Sequence, residues 1–431
     1  MKTPVATYRL QFRGDMDFDA AVEIVPYLKQ LGISHLYASP IFTATRGSTH
    51  GYDVTNHNEF DPALGGREGF ERLSDRLRAA GIGLLLDIVP NHMAASMENP
   101  WWRDVVEWGE QSRYAKHFDI DWTRRLTLPI LGRPFEEALK AGEISLALDG
   151  EHGGLVLAYF GNLVPLHPAS WQEVLARMDH PSATRIADAM DRGDPSRPGP
   201  LRDAVREIVR TSGDMSQELA ELSCDHDLLA RLHSEQPWEL TFWKEARRSL
   251  SYRRFFEITG LAGVRVEDPT VFEDVHRLTL ELVRSGRVDG LRIDHVDGLA
   301  DPAGYLRMLR DAVGPETYIV VEKILAPDEA LPADWPVEGT TGYEFIDATV
   351  DLLVDAEGLE RLARGYEAMT GAPSLEEARR RAKREIATVN FEGELTRLAE
   401  PLAMLSGGRF GADAMLKALA GLIVAMPVYR T

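Results

Sequence analysis

The chain carries a single cysteine, Cys224, among its 431 residues. That excludes internal disulfides and any cysteine-based metal cluster, and it fits a reducing compartment. Long apolar runs are also missing. The longest late one, 418–426, holds about nine residues against the roughly twenty of a membrane helix, and Lys417 and Pro427 bracket it, so it reads as core. The first ten residues offer no apolar stretch of signal-peptide length and no small-residue cleavage site, so no export is expected and the expected location is the cytoplasm. Bases are scarce, with 48 Lys and Arg against 68 Asp and Glu. The resulting net charge of −20 argues against nucleic acid or an anionic membrane surface as partner and is compatible with a neutral ligand such as a sugar. At 44% apolar the chain can bury a large core, and its length suggests two or three domains.

What is present is a set of apolar runs that each end in polar groups. Gly-Leu-Arg-Ile-Asp-His-Val-Asp at 290–297 delivers Asp294, and 28 residues later Tyr-Ile-Val-Val-Glu at 318–322 delivers Glu322. An earlier run, Gly-Leu-Leu-Leu-Asp-Ile-Val-Pro at 83–90, contains Asp87 and opens into Asn91 and His92. In a barrel of parallel strands the C-terminal strand ends form the active face, so consecutive βα units that each end in an acid put two carboxylates in one pocket. Such a pair is the usual machinery of glycoside chemistry.

The pattern along the chain alternates strand and helix: strand 5–12, helix 19–31, strand 35–42, helix 67–80, strand 83–90. It lapses and resumes with a helix at 268–285 and strands at 290 and 318. Between them, 144–156 reads as short strands, 169–189 and 201–233 as helices, and 191–200 as a loop. A sixth strand entry is expected at 339–345, then helices at 346–369, 375–405 and 412–426. The fold class expected is α/β, a (β/α)8 barrel that stops before its last strands, since only six can be counted, or seven if 428–430 begins another. The expected domains are 1–90, the first barrel part; 91–267, a large, mainly helical insertion after strand three; 268–345, the barrel continued with both acids; and 346–431, a helical subdomain.

In order and register, the three polar-tipped segments resemble the signature segments of the α-amylase family of glycoside hydrolases and transglycosylases. Four further stretches narrow the resemblance: Thr-Tyr-Arg-Leu-Gln at 7–11, Ser-Thr-His-Gly-Tyr-Asp-Val at 48–54, Leu-Ser-Tyr-Arg-Arg-Phe-Phe-Glu at 250–257 and Gly-Thr-Thr-Gly-Tyr at 339–343. They are similar to the maltooligosyltrehalose synthase branch, which turns the reducing-end α-1,4 bond of a maltooligosaccharide into an α,α-1,1 bond. The resemblance implies a retaining double displacement with Asp294 as nucleophile and Glu322 as acid and base. It implies that Arg292 keeps Asp294 ionised, while burial and the Asp294 charge keep Glu322 protonated. Tyr52 would be an aromatic platform for the sugar, His92, Asn91 and Asp87 its hydrogen-bonding partners, and His295 a residue on the acceptor side. The expected partner is a maltooligosaccharide or glycogen-derived α-1,4-glucan.

Simpler roles are open to several of these residues. Tyr52 could merely pack a loop, and Asn91, Asp87 and His295 could tie loops together. His50, Asp53 and His57 lack a fourth ligand, and no metal or other cofactor is expected. Trp101, Trp102, Trp108, Trp122 and Trp171 read mainly as packing. The family's third carboxylate, an Asp in a His-Asp motif on strand seven, has no counterpart after Glu322. Asp347, Asp351, Asp355 and Asp413 lie in helical stretches, so little turnover is expected of the chain alone. An α-glucan hydrolase or trehalose-releasing hydrolase of the same family would share the core segments. A non-catalytic glucan-binding barrel would be expected to lose the two acids.

Overall fold

A computed structural model of the chain describes residues 3–192, 198–211 and 215–429. The chain divides into two compact units, one formed by Met1–Ala94 with Arg254–Thr431 and the other by Ala95–Arg253. Among the described residues no helix is long and apolar enough to cross a membrane.

The first unit starts with β1 (Thr7–Leu10), α1 (Phe18–Leu31), β2 (His35–Ala38), α2 (Gly66–Ala80), β3 (Gly83–Ile88) and the short β4 (His92–Ala94). Helix α1 begins where the Asp17 carboxylate accepts from the Ala20 N–H at 2.8 Å and ends at Gly32, whose φ of 83° suits a residue without Cβ. After Ala95–Arg253 the unit resumes with β5 (Arg254–Phe255), β6 (Ile258–Gly263), α3 (Pro269–Arg284), β7 (Gly290–Ile293), α4 (Pro302–Val313), β8 (Tyr318–Val321) and β9 (Gly339–Thr340). Strands β1, β2, β3, β7, β8 and β9 form one sheet in that order, every neighbouring pair parallel. All six residues of β3 and all four of β7 are buried, which explains why they read as unbroken apolar runs rather than alternating ones. Gly290 is required by close approach: a Cβ there would lie 2.6 Å from both the Leu85 side chain and the Tyr318 carbonyl oxygen.

The sequence reading missed the antiparallel pairing of Phe42–Ala44 with Val54–Phe60 and the small sheet β5–β6–β4. The polar residues of Val54–Phe60 and the bulged registers mask their period. The single helix expected at 346–369 is two, α5 (Tyr343–Leu353) and α6 (Ala356–Thr370), because Asp355 caps the second by accepting from the Gly358 N–H at 2.8 Å. The one expected at 375–405 is α7 (Leu375–Glu385) and α8 (Glu392–Leu405), joined by a π-helical turn, Ile386–Asn390. Helix α9 (Ala412–Ala425) follows. None of α5, α6 or α7 buries a residue. The strand expected at 428–430 falls partly outside the described residues.

The second unit contains an antiparallel sheet of Ile144–Asp149, Gly154–Tyr159 and Asn162–Pro165, and a parallel pair, Leu126–Leu131 with Trp238–Phe242. Its helix at Pro100–Trp108 buries Trp101 and Trp102, and Trp171 and Trp238 are buried too, so these tryptophans pack the interior. The helices expected at 169–189 and 201–233 are interrupted, the first before Pro181 and the second between Pro198–Thr211, Ser216–Leu222 and His226–Ser234. Of the loop expected at 191–200, positions 193–197 lie outside the described residues.

Candidate active site

Parallel strands end on the same side of their sheet, so β3, β7 and β8 present their C-terminal residues together. Arg292 pairs in register with Asp87, and Asp294 follows two residues later on the same strand face. The ladder continues beyond the strands: Asp294 donates its N–H to the Ile88 carbonyl, and Glu322 to the Ile293 carbonyl, both at 2.9 Å. These bonds fix the backbone under both acids.

One guanidinium gathers three carboxylates. Arg292 Nη1 lies 2.7 Å from Asp87 Oδ1 and 2.6 Å from Asp294 Oδ1, and its Nη2 lies 3.1 Å from Glu322 Oε1. The Asp87 side chain is fully buried and that of Asp294 is 9% exposed, while Glu322 is 23% exposed. Burial opposes the charge on Arg292, yet Asp87 and Asp294 raise its pKa overall. Burial pushes Asp87 up against the pull of Arg292. Asp294 is pushed up to about 7, first by burial and then by the Asp87 and Glu322 charges, with Arg292 acting the other way. Arg292 favours the ionised form of Asp294, but one cation shared among three acids does not offset the loss of water.

Asp87 is further tied to two phenols, accepting at Oδ2 from Tyr37 at 3.0 Å and from Tyr52 at 2.7 Å. Arg9 donates to the Tyr52 oxygen at 3.1 Å and to Gln11 Oε1 at 3.0 Å. Burial, followed by the Asp87 charge, holds both phenols well above their usual range, so they stay donors.

His295 occupies the left-handed region, with φ 47° and ψ 49°. Its backbone N–H donates to Glu322 Oε2 at 2.9 Å. The His295 ring lies with its centroid 4.9 Å from those of both Phe255 and Phe256, and Phe255 also faces His92 at 4.2 Å. Asn91 Nδ2 is 3.2 Å from His92 Nδ1. Buried Lys323, one residue after Glu322, bridges Asp297 at 3.2 Å and Glu329 at 2.9 Å and so joins the loops after β7 and β8.

All eight residues named from the sequence thus meet in one place. Asp87, Arg292, Asp294, Glu322 and Tyr52 share a hydrogen-bonded cluster, His295 joins it through Glu322, and His92 and Asn91 reach it through Phe255. Reading the sequence assigned no role to Tyr37, Arg9, Phe255, Phe256 or Lys323. Arg9 and the phenylalanines lay in noted motifs, whereas nothing local marked Tyr37. His50 and Asp53 pair within their own loop at 3.7 Å, and His57 is buried. Among the described residues no group of three or more His, Cys, Asp or Glu side chains is placed to hold a metal ion.

The catalytic-domain profile of the α-amylase family matches residues 11–130. A Mycobacterium tuberculosis protein described as a maltooligosyl trehalose synthase is 38% identical over 365 residues, covering 82% of this chain and 39% of that protein. The structure of maltooligosyltrehalose synthase from Arthrobacter ramosus superimposes with a TM-score of 0.78 at 34% identity, over 99% of this chain and 48% of that one. That of a hypothetical maltooligosyl trehalose synthase from Sulfolobus tokodaii gives 0.74 at 31% identity, over 100% and 49%. The chain spans less than half the length of each of these relatives. By sequence and fold the chain is similar to these maltooligosyl trehalose synthases, and its residues 11–130 carry the match to the α-amylase catalytic domain.

Proposed function

We propose that this site rearranges the reducing end of a maltooligosaccharide, converting its α-1,4 bond into an α,α-1,1 bond by intramolecular transglycosylation. The observation that carries the reading is the pair Asp294 and Glu322 at the ends of adjacent strands, gathered by the two terminal nitrogens of Arg292. In its ionised form Asp294 attacks the anomeric carbon while Glu322 gives its proton to the departing glycosidic oxygen. Glu322 then takes the proton of the freed glucose's 1-hydroxyl, whose oxygen attacks the same carbon and expels Asp294. Two inversions leave an α product. Water is the competing acceptor, so the freed glucose must stay in place while it turns.

Tyr52 supplies an apolar face to the sugar ring, Asp87, His92 and Asn91 its hydrogen bonds, and His295 the acceptor side. No cofactor enters the scheme, and a cytoplasmic maltooligosaccharide or glycogen-derived α-1,4-glucan is the substrate. In this reading the six parallel strands belong to an α-amylase-type (β/α)8 barrel, carried by 1–90 and 268–345, with 91–267 inserted after the third strand and 346–431 a helical subdomain. Asp347 and Asp351 lie in α5, Asp355 caps α6 and Asp413 lies in α9, which makes none of them a strand-borne third acid. The chain alone therefore binds sugar but turns it over slowly.

Incubation with maltopentaose, followed by the anomeric proton signals in NMR, tests this. The expected result is saturable binding with slow loss of the reducing end and a new 1,1-linked signal without free glucose. Glucose release would replace the reading with a hydrolase, and no binding by the folded chain would overturn it.

A further inference from the structure

We propose that the π-helical turn Ile386–Asn390 is a positioning element for this site, holding the aromatic wall formed by Phe255 and Phe256. The inference rests on the sugar-site reading above but concerns residues that reading does not use. The wall sits in a strained turn. Strands β5 and β6 pair antiparallel, with Phe255 opposite Ile258, and Phe256 between them takes φ 48°. A phenylalanine in the left-handed region is strained and persists only when its surroundings hold it.

The hold comes from both flanks. On one side Arg254, its side chain 2% exposed, reaches Glu394 at 3.2 Å, donates to the Asn390 carbonyl at 2.6 Å and stacks over Phe391 at 5.5 Å. On the other side Asn390 Nδ2 donates to the Glu257 carboxylate. A single residue, Asn390, therefore grips the neighbours on either side of Phe255 and Phe256, by its carbonyl and its amide. It can do so because the turn bonds Phe391 N–H to the Ile386 carbonyl, five residues back, at 3.0 Å. That extra residue changes the helix register where Asn390 stands. The wall so fixed packs on His92 and His295, and the His295 N–H bonds Glu322, so a shift of the turn reaches the acid-base residue through the wall and His295.

Asn390→Ala and Glu394→Ala, made in the full chain, test the assignment, with Glu257→Gln as the conservative control that keeps an oxygen acceptor for Asn390. The first readout is the histidine ring signals in NMR, with those of His92 and His295 identified by His92→Gln and His295→Gln. Both signals should move in the two test variants and stay near their original positions in the control, while thermal midpoints change little. Affinity for maltopentaose should fall roughly tenfold, as expected for one lost charge-assisted hydrogen bond. Unmoved histidine signals in a folded Asn390→Ala or Glu394→Ala chain would overturn the proposal. So would moved signals with unchanged affinity. If the unaltered chain binds no maltopentaose, the sugar-site reading fails, and displaced histidine signals would still uphold the clamp.

Discussion

Tyr52 donates its phenolic hydrogen to Asp87 Oδ2 at 2.7 Å, across 35 positions of sequence. The aspartate is fully buried, with Arg292 on its other oxygen and Tyr37 as a second phenol donor. Tyr52 is thus more than a flat surface for a sugar, because it also helps keep a buried acid supplied with donors.

Tyr52→Phe and Tyr52→Ala separate those roles. The phenylalanine keeps the ring and removes one hydrogen bond to a buried carboxyl, which should lower folding stability by about 1.5–3 kcal/mol while leaving maltopentaose affinity nearly intact. The alanine should lose both. Urea unfolding alongside calorimetric titration checks this, and equal losses of affinity in the two variants would show that the hydroxyl, not the ring, holds the sugar.

Arg292→Gln leaves three acids without their common cation. Breaking a buried charge network by removing one partner costs about 3–5 kcal/mol, so the unfolding midpoint in urea should fall sharply at pH 7. Arg292→Lys keeps the charge but presents a single ammonium where Asp294 and Glu322 use two separate nitrogens, and it should recover only part of the loss. Full recovery by lysine would mean that charge alone, not the forked geometry, holds the cluster.

Asp294 gives the site a pH dependence with a definite sign. Its folded pKa is pushed up to about 7, by burial first and by the neighbouring acids second, from an ordinary value of about 3.9. The folded state therefore binds this proton more tightly than the unfolded chain does. The stabilising share is complete below pH ~4 and is lost as pH rises through about 7. Asp294→Asn cannot ionise, so relative to the unaltered chain it should gain stability between pH 5 and pH 8 in urea melts. A pH-independent difference would contradict the upward shift. If turnover is measurable, its rate should rise with pH over the same window as the nucleophile ionises.

The central parts of this site were legible because they follow from local pattern. Asp87, Arg292, Asp294 and Glu322 stand in or at the ends of apolar runs, the mark of strands buried on both faces, and their order in the chain is their order in the sheet. Tyr37 was not legible. It reaches Asp87 only because β2 lies beside β3 in the sheet, a relation set by strand pairing and invisible in the residues around it. The fixing of Phe255 and Phe256 was hidden for the same reason, since Arg254 and Glu394 are 140 positions apart. The raised proton affinity of Asp294 was hidden too, because a strand pattern shows that an arginine is adjacent but not how many carboxylates divide it.

Away from the site, His57 and His276 set a limit on acid stability. Both are fully buried within the first unit; burial pushes His57 down to about 3, with repulsion from His276 adding to it, and pushes His276 down to about 4. His276 donates or accepts at both ring nitrogens, with the Phe272 carbonyl and the Tyr305 hydroxyl each 2.9 Å away. A folded pKa below the unfolded value means that the unfolded chain takes up protons first, so this contribution is complete above pH ~6.5 and is lost as pH falls toward the folded values. The sign is opposite to that of Asp294, and single variants are needed to see each. His57→Leu should lower stability at every pH through lost packing, but it should also flatten the acid limb by about 1.4 kcal/mol per pH unit near pH 5, the slope of one proton. Unfolding free energies at half-unit steps between pH 4 and 7 measure that slope. Parallel curves for the two chains would show that His57 is already protonated in the folded state or has a water-accessible route to become so.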